Sequence, residues 1–466
     1  MSAANLSHAT GHQGAAGLGR RTVLAGLLGA FALRPRDASA FIRQLDWPQA
    51  LASRPRHAPR PSDVCFSSRW PRPRDARDPH DTLAAARAFQ ANRLDWCYTE
   101  DRGFIQRAKA AGMATVGGTL NSVLPDQPGG TERLRGRVAD RNGRLLQAPW
   151  MPWPGRSWGC ASSPEFRAAW LAHATLALEA GIDWLQMDDP RLNAEAVRWG
   201  GCWCEHCTRL ARAERLSLER DMPRIARIAV DRFYDDVFAE LARRAGRRVT
   251  MGSNNSRGRT GWPFDKFDIG MGEVHPDTTN PRQMAELFGR AEEAGRPQIV
   301  TLVTDDLPLY RRAIAWSYAC AGHVIAPWDI WPGPQRPDAP RLFTRPEETV
   351  DLYAFARRLG RALDGAAPVS VHAPGEGPVR MPSGEPWVTV RADPNRRFVV
   401  VHLVRWDAGT AGPVQIDRGA LPRGTPANAR LLEPGGRVVP LTEGARGVMT
   451  AVAAPSPWAV VVFGDA

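Results

Sequence analysis

GIDWLQMDDPRLNAEAVRWGGCWCEHC, residues 181–207, decides how this chain is read. Ile182 to Met187 is a short, mostly apolar run that ends abruptly at Asp188-Asp189-Pro190. Proline has no backbone N–H to offer a sheet, so a strand stops here with two carboxylates at its tip. Asp188 shares the alternation of Gln186, which turns both to one side of that strand. Thirteen residues past Asp189, Cys202-x-Cys204-x-x-Cys207 gathers three thiols. The pattern is an acid-tipped strand followed by a metal-type cysteine loop.

The same rhythm extends in both directions. Pro164–Ala180 is an amphipathic helix, capped by Ser163 and stopped by Gly181. Strand-like runs recur at 63–68, 94–99, 113–120, 182–188, 248–253, 267–273, 298–304 and 323–328. Helical sequence fills 81–92, 103–111, roughly 205–245, 281–294, 308–321 and 346–363, and a long loop runs from strand three to about Ser162. Eight strand–helix units predict an α/β chain whose residues 63–365 form a (β/α)8 TIM barrel. Doubly wound sheets rarely reach eight units, and no G-x-G-x-x-G opens the first helix. From 366 to 466 the helical pattern ends. WVTVRADPNRRFVVVHLVRW (387–406) holds two β-rich runs about an Asp393-Pro394-Asn395 turn, and 429–441 and 458–464 add more. This reads as a small C-terminal antiparallel β-sandwich.

Residues 1–40 read as an export signal. The first 21 residues carry no acid and end in Arg20-Arg21; the apolar stretch Thr22–Leu33 follows, and Ala38-Ser39-Ala40 is a small-residue cleavage site. Arg20-Arg21 with Thr22-Val23-Leu24 resembles the twin-arginine signal, with Ala25 where lysine is usual. A periplasmic or secreted protein is expected. Residues 41–62, rich in Pro and Arg, form an irregular lead-in. No segment approaches the roughly 20 apolar residues of a membrane span, so no stable membrane anchor is expected. The formal charge of +12 drops to +9 once residues 1–40, with four arginines and one aspartate, are removed. Only Lys109 and Lys266 are lysine, and the arginines are scattered along helices rather than gathered in one run. This composition predicts no nucleic-acid partner.

The active face of such a barrel lies at the C-terminal ends of its strands. Acids and amides collect there: Glu100 and Asp101, Asn121, Asp188 and Asp189, Asn254 and Asn255, Glu273 with His275, Asp305 and Asp306, and Asp329. A rim of carboxylates suits glycoside hydrolysis by an acid pair. Asp188 and Glu273, each ending a strand, are the expected catalytic pair. Asp189, Glu100, Asn254, His275, Asp305, Trp328 and Asp329 are the expected substrate contacts. For the paired acids that precede helices, capping is the competing role. Trp150, Trp153, Trp158, Trp199, Trp203, Trp262, Trp328 and Trp331 fall in loops on this face. Indoles offer flat apolar platforms for pyranose rings, although about half should be loop core. Cys160, in the strand-three loop, completes a set with Cys202, Cys204 and Cys207: a closed structural zinc site, with His206 as a substitute ligand and two disulfides as the alternative.

That cysteine arrangement, one in the strand-three loop and C-x-C-x-x-C after the strand-four acid, resembles the zinc site of glycoside hydrolase family 42 β-galactosidases. GIDWLQMDDP, GCWCEHC and APWDIW are similar to bacterial barrels classed as glycoside hydrolases, over roughly residues 63–363. The resemblance implies a TIM barrel, a carbohydrate substrate and a structural, non-catalytic zinc. Family 42 carries Asn-Glu on strand four and Glu on strand seven, where this chain has Asp188-Asp189 and Asp305-Asp306, so its particular activity is not carried over. Acids on strands four and six are more like α-galactosidase-type barrels. The expected activity is hydrolysis of an O-glycosidic bond; the competing reading is a non-catalytic polysaccharide-binding barrel. A metal-dependent amidohydrolase does not fit, because strand one ends in Ser67-Ser68 with no His-x-His.

Overall fold

The computed structural model describes residues 54–67, 81–125, 135–151, 154–326, 344–382, 384–407, 410–444 and 447–465. Eight strands form one parallel sheet in sequence order: β1 (Cys65–Ser67), β2 (Arg93–Cys97), β3 (Thr115–Leu120), β4 (Trp184–Met187), β5 (Met251–Asn254), β6 (Ile269–Val274), β7 (Gln298–Leu302) and β8 (His323–Val324). A parallel bridge from Phe66 to Ala326, with Ala326 N–H donating to the Cys65 carbonyl at 2.8 Å, closes the sheet into a barrel. Strand eight, expected over 323–328, leaves the described residues after Ala326.

The helices start and stop where their end groups find partners. Asp81 caps α1 (Thr82–Ala88), Asp101 caps α2 (Arg102–Ala110), and Ser163 caps α3 (Pro164–Ala180), which ends at Gly181 with φ +107°. The helical stretch expected over 205–245 is two helices, α4 (Glu205–Ala213) and α5 (Met222–Ala245). Then come α6 (Pro281–Glu293), α7 (Leu307–Ala319) and α8 (Pro346–Asp364). Between β5 and β6 there is only a single 3-10 turn, Phe264–Lys266. The outward positions of β6 are Gly270 and Gly272, and a side chain on either would strike Asn255 or Gln298. The loop after β5 therefore lies directly on the strand, pinned by paired amide hydrogen bonds between Asn255 and Gln298 (2.8 and 3.0 Å), in the place a helix would occupy. The strand-three loop contains a two-stranded ribbon, Val123–Pro125 against Arg156–Trp158.

The lumen is filled by Cys65, Trp96, Trp184, Ile269, Met271, Ile299 and Ile325, all buried. Trp184 fits because its flanking strands carry glycine beside it: a Cβ on Gly117 or Gly252 would come within 2.4 Å of the indole. Gly117→Ala should therefore cost about 1–3 kcal/mol through overpacking, read as a lower denaturation midpoint at unchanged slope. Residues 54–62 of the irregular lead-in seal the other end of the barrel. Ala58 packs on the lumen cluster, Arg93 donates to the His57 carbonyl (3.1 Å) while gripping Asp95 with two 2.8 Å bonds, and His323 Nε2 meets the Arg60 carbonyl at 2.8 Å.

Ten further strands build the sandwich: β9 (Ala367–His372), β10 (Val379–Arg380), β11 (Trp387–Ala392), β12 (Phe398–Val404), β13 (Gly412–Asp417), β14 (Ala429–Leu432), β15 (Val438–Pro440), β16 (Thr442–Glu443), β17 (Val448–Ala453) and β18 (Trp458–Gly464). One sheet runs β9-β11-β12-β18-β14-β15 and the other β10-β13-β17-β16. Val399, Val401, Leu403, Val461 and Phe463 face the second sheet, whereas Val400, Val404, Trp458, Val460 and Val462 join the barrel's core. Both faces are covered, which is why FVVVHLV and WAVVVFG are nearly continuous apolar runs. The sandwich docks on the outer wall through α7 and α8: Tyr318 stacks on Trp458 (5.9 Å, 13°) and Phe355 meets it edge-on (4.8 Å). No helix among the described residues is long and apolar enough to cross a membrane.

Candidate active site and metal centre

Strand alternation brings Trp184, Gln186 and Asp188 to the lumen from β4, Gly252 and Asn254 from β5, and Ile269, Met271 and Glu273 from β6. Asp188 is held on both carboxylate oxygens. Tyr98 Oη donates to Oδ2 at 2.5 Å, and Asn254 Nδ2 donates to Oδ1 at 2.8 Å. The two donors, one on each oxygen, fix the orientation of the carboxylate group. The main chain is tied to β3: Asp188 N–H donates to the Leu120 carbonyl (2.7 Å), and Ser122 Oγ reaches the carbonyls of Asp188 (3.2 Å) and Asp189 (3.1 Å).

Asp189 departs from the strand. Its φ of +55° lies in the left-handed region, which turns the chain sharply before Pro190. Tyr234 Oη holds the turn by donating to the Pro190 carbonyl at 2.7 Å. Burial, then the neighbouring charges of Asp188 and Glu273, push the Asp189 carboxyl well above the usual carboxylate range, with a Trp150 hydrogen bond partly opposing them. An aspartate raised above its unfolded value of about 3.9 binds more protons folded than unfolded. The stability it contributes is full below that value and is lost as pH rises through the folded pKa. Asp189→Asn should accordingly raise the melting temperature at neutral pH, an advantage that disappears below about pH 4; a gain independent of pH would exclude this cause.

The remaining expected contacts are less gathered. Glu100, His275 and Asp305 are exposed at the ends of β2, β6 and β7. Asp101 and Asp306 are helix caps, accepting from Phe104 N–H (3.0 Å) and Leu309 N–H (2.9 Å). Trp328 and Asp329 lie outside the described residues, as do Trp153 and Trp331. A cavity of about 320 Å³ between β3 and α3, lined by Tyr98, Glu100, Asn121, Arg156, Trp170 and His173, adjoins the rim but is not centred on the acids. Among the indoles, Trp158 is core, Trp203 lies under Arg141 (4.4 Å) and Trp262 under Arg227 (4.9 Å). Trp150 stands apart: it is 48% exposed, braced edge-on by Trp158 (6.2 Å) and Trp199 (5.2 Å), and touches Asp189.

Tyr98 was not among the expected site residues, and the reason is local. The pairing of β2 with β3 shifts between Leu94 and Cys97, and Trp96 has φ +56°. This bulge reverses the alternation, so Trp96 and Tyr98 both face the lumen, where a regular strand would turn them away.

Three of the four expected cysteines converge. Cys160 Sγ lies 3.5 Å from Cys204 Sγ and 3.7 Å from Cys207 Sγ, and the three sulfurs all fall within 4.8 Å of one another. Cys202 interacts with Cys207 and lies 3.6 Å from the Asn193 carbonyl. All four are buried and unbridged. The Cys160 sulfur, partly opposed by a hydrogen bond with Cys207 and aided by burial, pushes the Cys204 thiol well above its ordinary range. Three buried sulfurs within reach of one another are a donor set that could hold a metal ion. His206 is not turned to it: Nδ1 meets Arg209 (2.7 Å), and Nε2 faces Glu165 (3.4 Å) and Glu205 (3.5 Å).

No family model matches the chain, and no curated protein matches it by sequence. Solved structures do. It is similar to the trehalose-6-phosphate hydrolase TreA of Bacillus licheniformis, at 10% identity over 87% of this chain and 99% of that one, with a TM-score of 0.53. The noncanonic maltogenic α-amylase AmyB of Thermotoga neapolitana gives 9% identity, 87% and 99% coverage and a TM-score of 0.52. Amy13B of Eubacterium rectale gives 8%, 92% and 99%, and 0.51. At such identity the likeness shows the fold: a TIM barrel with a C-terminal β-sandwich, an architecture shared with glycoside hydrolases.

Proposed function

We propose that this chain is an exported glycoside hydrolase that cleaves a glycosidic bond in an oligo- or polysaccharide at the barrel mouth. The observation that carries the reading is Asp188, held by Tyr98 and Asn254 at the lumen end of β4, with Glu273 on the same rim. Asp188 acts as nucleophile or base and Glu273 as general acid. Asp189, whose carboxyl is pushed above its usual range beside them, is a further polar group for a sugar hydroxyl. Trp150 offers a ring face to the substrate. The zinc, held by Cys160, Cys202, Cys204 and Cys207, would brace the loop beyond β4, and no step of the reaction passes through it.

Screening the mature, metal-loaded protein against aryl glycosides and bacterial polysaccharides tests the reading, with release of reducing ends as the readout. Retention by a polysaccharide with no hydrolysis anywhere in the panel would favour the non-catalytic binding barrel. The export route has its own test: Arg20-Arg21 changed to Lys-Lys should trap precursor in the cytoplasm, and normal export of that form would exclude the twin-arginine route.

A further inference from the structure

The thiol cluster is held by one side chain, Asn193, four residues beyond Asp189 in the turn that carries the acids. It is fully buried in the short helix Leu192–Ala196. Its Nδ2 donates to both Cys160 Sγ and Cys207 Sγ at 3.4 Å, and its Oδ1 accepts from Ala161 N–H at 2.7 Å. Its main-chain carbonyl faces Cys202 Sγ at 3.6 Å. One residue thus touches three of the four sulfurs and the peptide beside the first of them.

From Asn193 the connection to the acids is four residues long. Leu192 N–H reaches back to the Asp189 carbonyl at 3.3 Å, and the Leu192 carbonyl accepts from the buried Trp158 indole at 3.1 Å. Asp189 (φ +55°) and Leu192 (φ +42°) both hold left-handed backbone, which non-glycine residues adopt only when their surroundings enforce it. Trp158 in turn braces Trp150, the partner of the Asp189 carboxyl. The enforcing contacts therefore come from the ribbon that ends at Trp158, two residues before Cys160, and the turn leads directly into Asn193.

We infer that Asn193 is a positioning residue whose amide N–H groups bond two metal-bound thiolates, so that loading the cysteine cluster locks the 189–192 turn. This rests on the metal reading proposed above. An N–H donor binds a thiolate more strongly than a thiol because the acceptor is charged. Metal loading, which deprotonates the cysteines, therefore tightens the grip of Asn193. The N–H groups also offset the surplus negative charge of four thiolates around a divalent ion.

The test compares zinc affinity, by chelator competition, in the wild-type protein, Asn193→Asp and Asn193→Leu. Asp keeps the acceptor for Ala161 N–H but loses the donors; Leu loses both. Each should bind zinc about 10- to 100-fold more weakly, and the sulfur-to-metal charge-transfer band of the cobalt form should shift. Hydrogen exchange of the wild-type protein, with and without zinc, needs no variant: the amides of Asp189 and of residues 191–193 should gain protection on loading. Unchanged affinity and spectrum in a folded variant, or unchanged protection in the wild type, would overturn the inference while leaving the zinc site and the acid pair standing. A wild-type protein that binds no zinc overturns the metal reading and this inference together.

Discussion

Turnover on a confirmed glycoside should fall by at least about a hundredfold, and up to ten-thousandfold, when Asp188 becomes Asn or Glu273 becomes Gln, the range a positioned acid or base contributes. Both changes keep shape and remove charge, so the melting temperature should barely move. For Asp188 the geometry explains why. Its two donors, Tyr98 and Asn254, come from β2 and β5, and the fold holds them with or without the charge. An amide in its place still occupies the position but can neither attack nor take a proton. If Asp188 is the nucleophile, azide should rescue the Asn variant and give a glycosyl azide of inverted configuration. The anomeric configuration of the wild-type product separates the two roles: retention marks Asp188 as the nucleophile, and inversion marks it as a base on water. Near-native turnover in both variants would move the chemistry to Asp305, Asp306 or Asp329.

The second large effect is on stability. The mature protein should carry about one zinc per chain by elemental analysis. Removing it, or replacing Cys204 by Ser, should lower the melting temperature by several degrees while leaving substrate preference unchanged. At a free metal concentration about a thousand times Kd, the bound ion contributes about 4 kcal/mol of stability. None of that energy should go into the reaction, because a site closed by four sulfurs would leave no coordination position for a substrate. An as-purified protein with no metal, and with its thiols titrating as disulfides, would sink the assignment.

Much of this architecture follows from the chain by local rules. A period of two runs through Trp184, Gln186 and Asp188 and through Ile269, Met271 and Glu273, and it sends both acids to the lumen without reference to anything distant. Ser163 and Gly181 bound α3 by satisfying its own end groups, and Asp393 closes the β11–β12 turn by accepting from Asn395 and Arg397 N–H. The C-x-C-x-x-C spacing confines three sulfurs to one short stretch, the last of them in the first turn of α4. Four features were settled only by tertiary contact. A bulge in β2, visible in its register against β3, turned Tyr98 onto Asp188 against the alternation. Gly270 and Gly272 let a loop replace the fifth helix, which needs Asn255 and Gln298 to arrive from other strands. Residues 54–62 became the barrel's floor because Arg93 and His323 offer them partners. Asn193 reads as an ordinary helix residue until Cys160, 33 positions earlier, is folded against it. Periodicity and end-capping are written in neighbouring residues, whereas register shifts, close glycine contacts and buried hydrogen-bond partners exist only once distant segments share the same space.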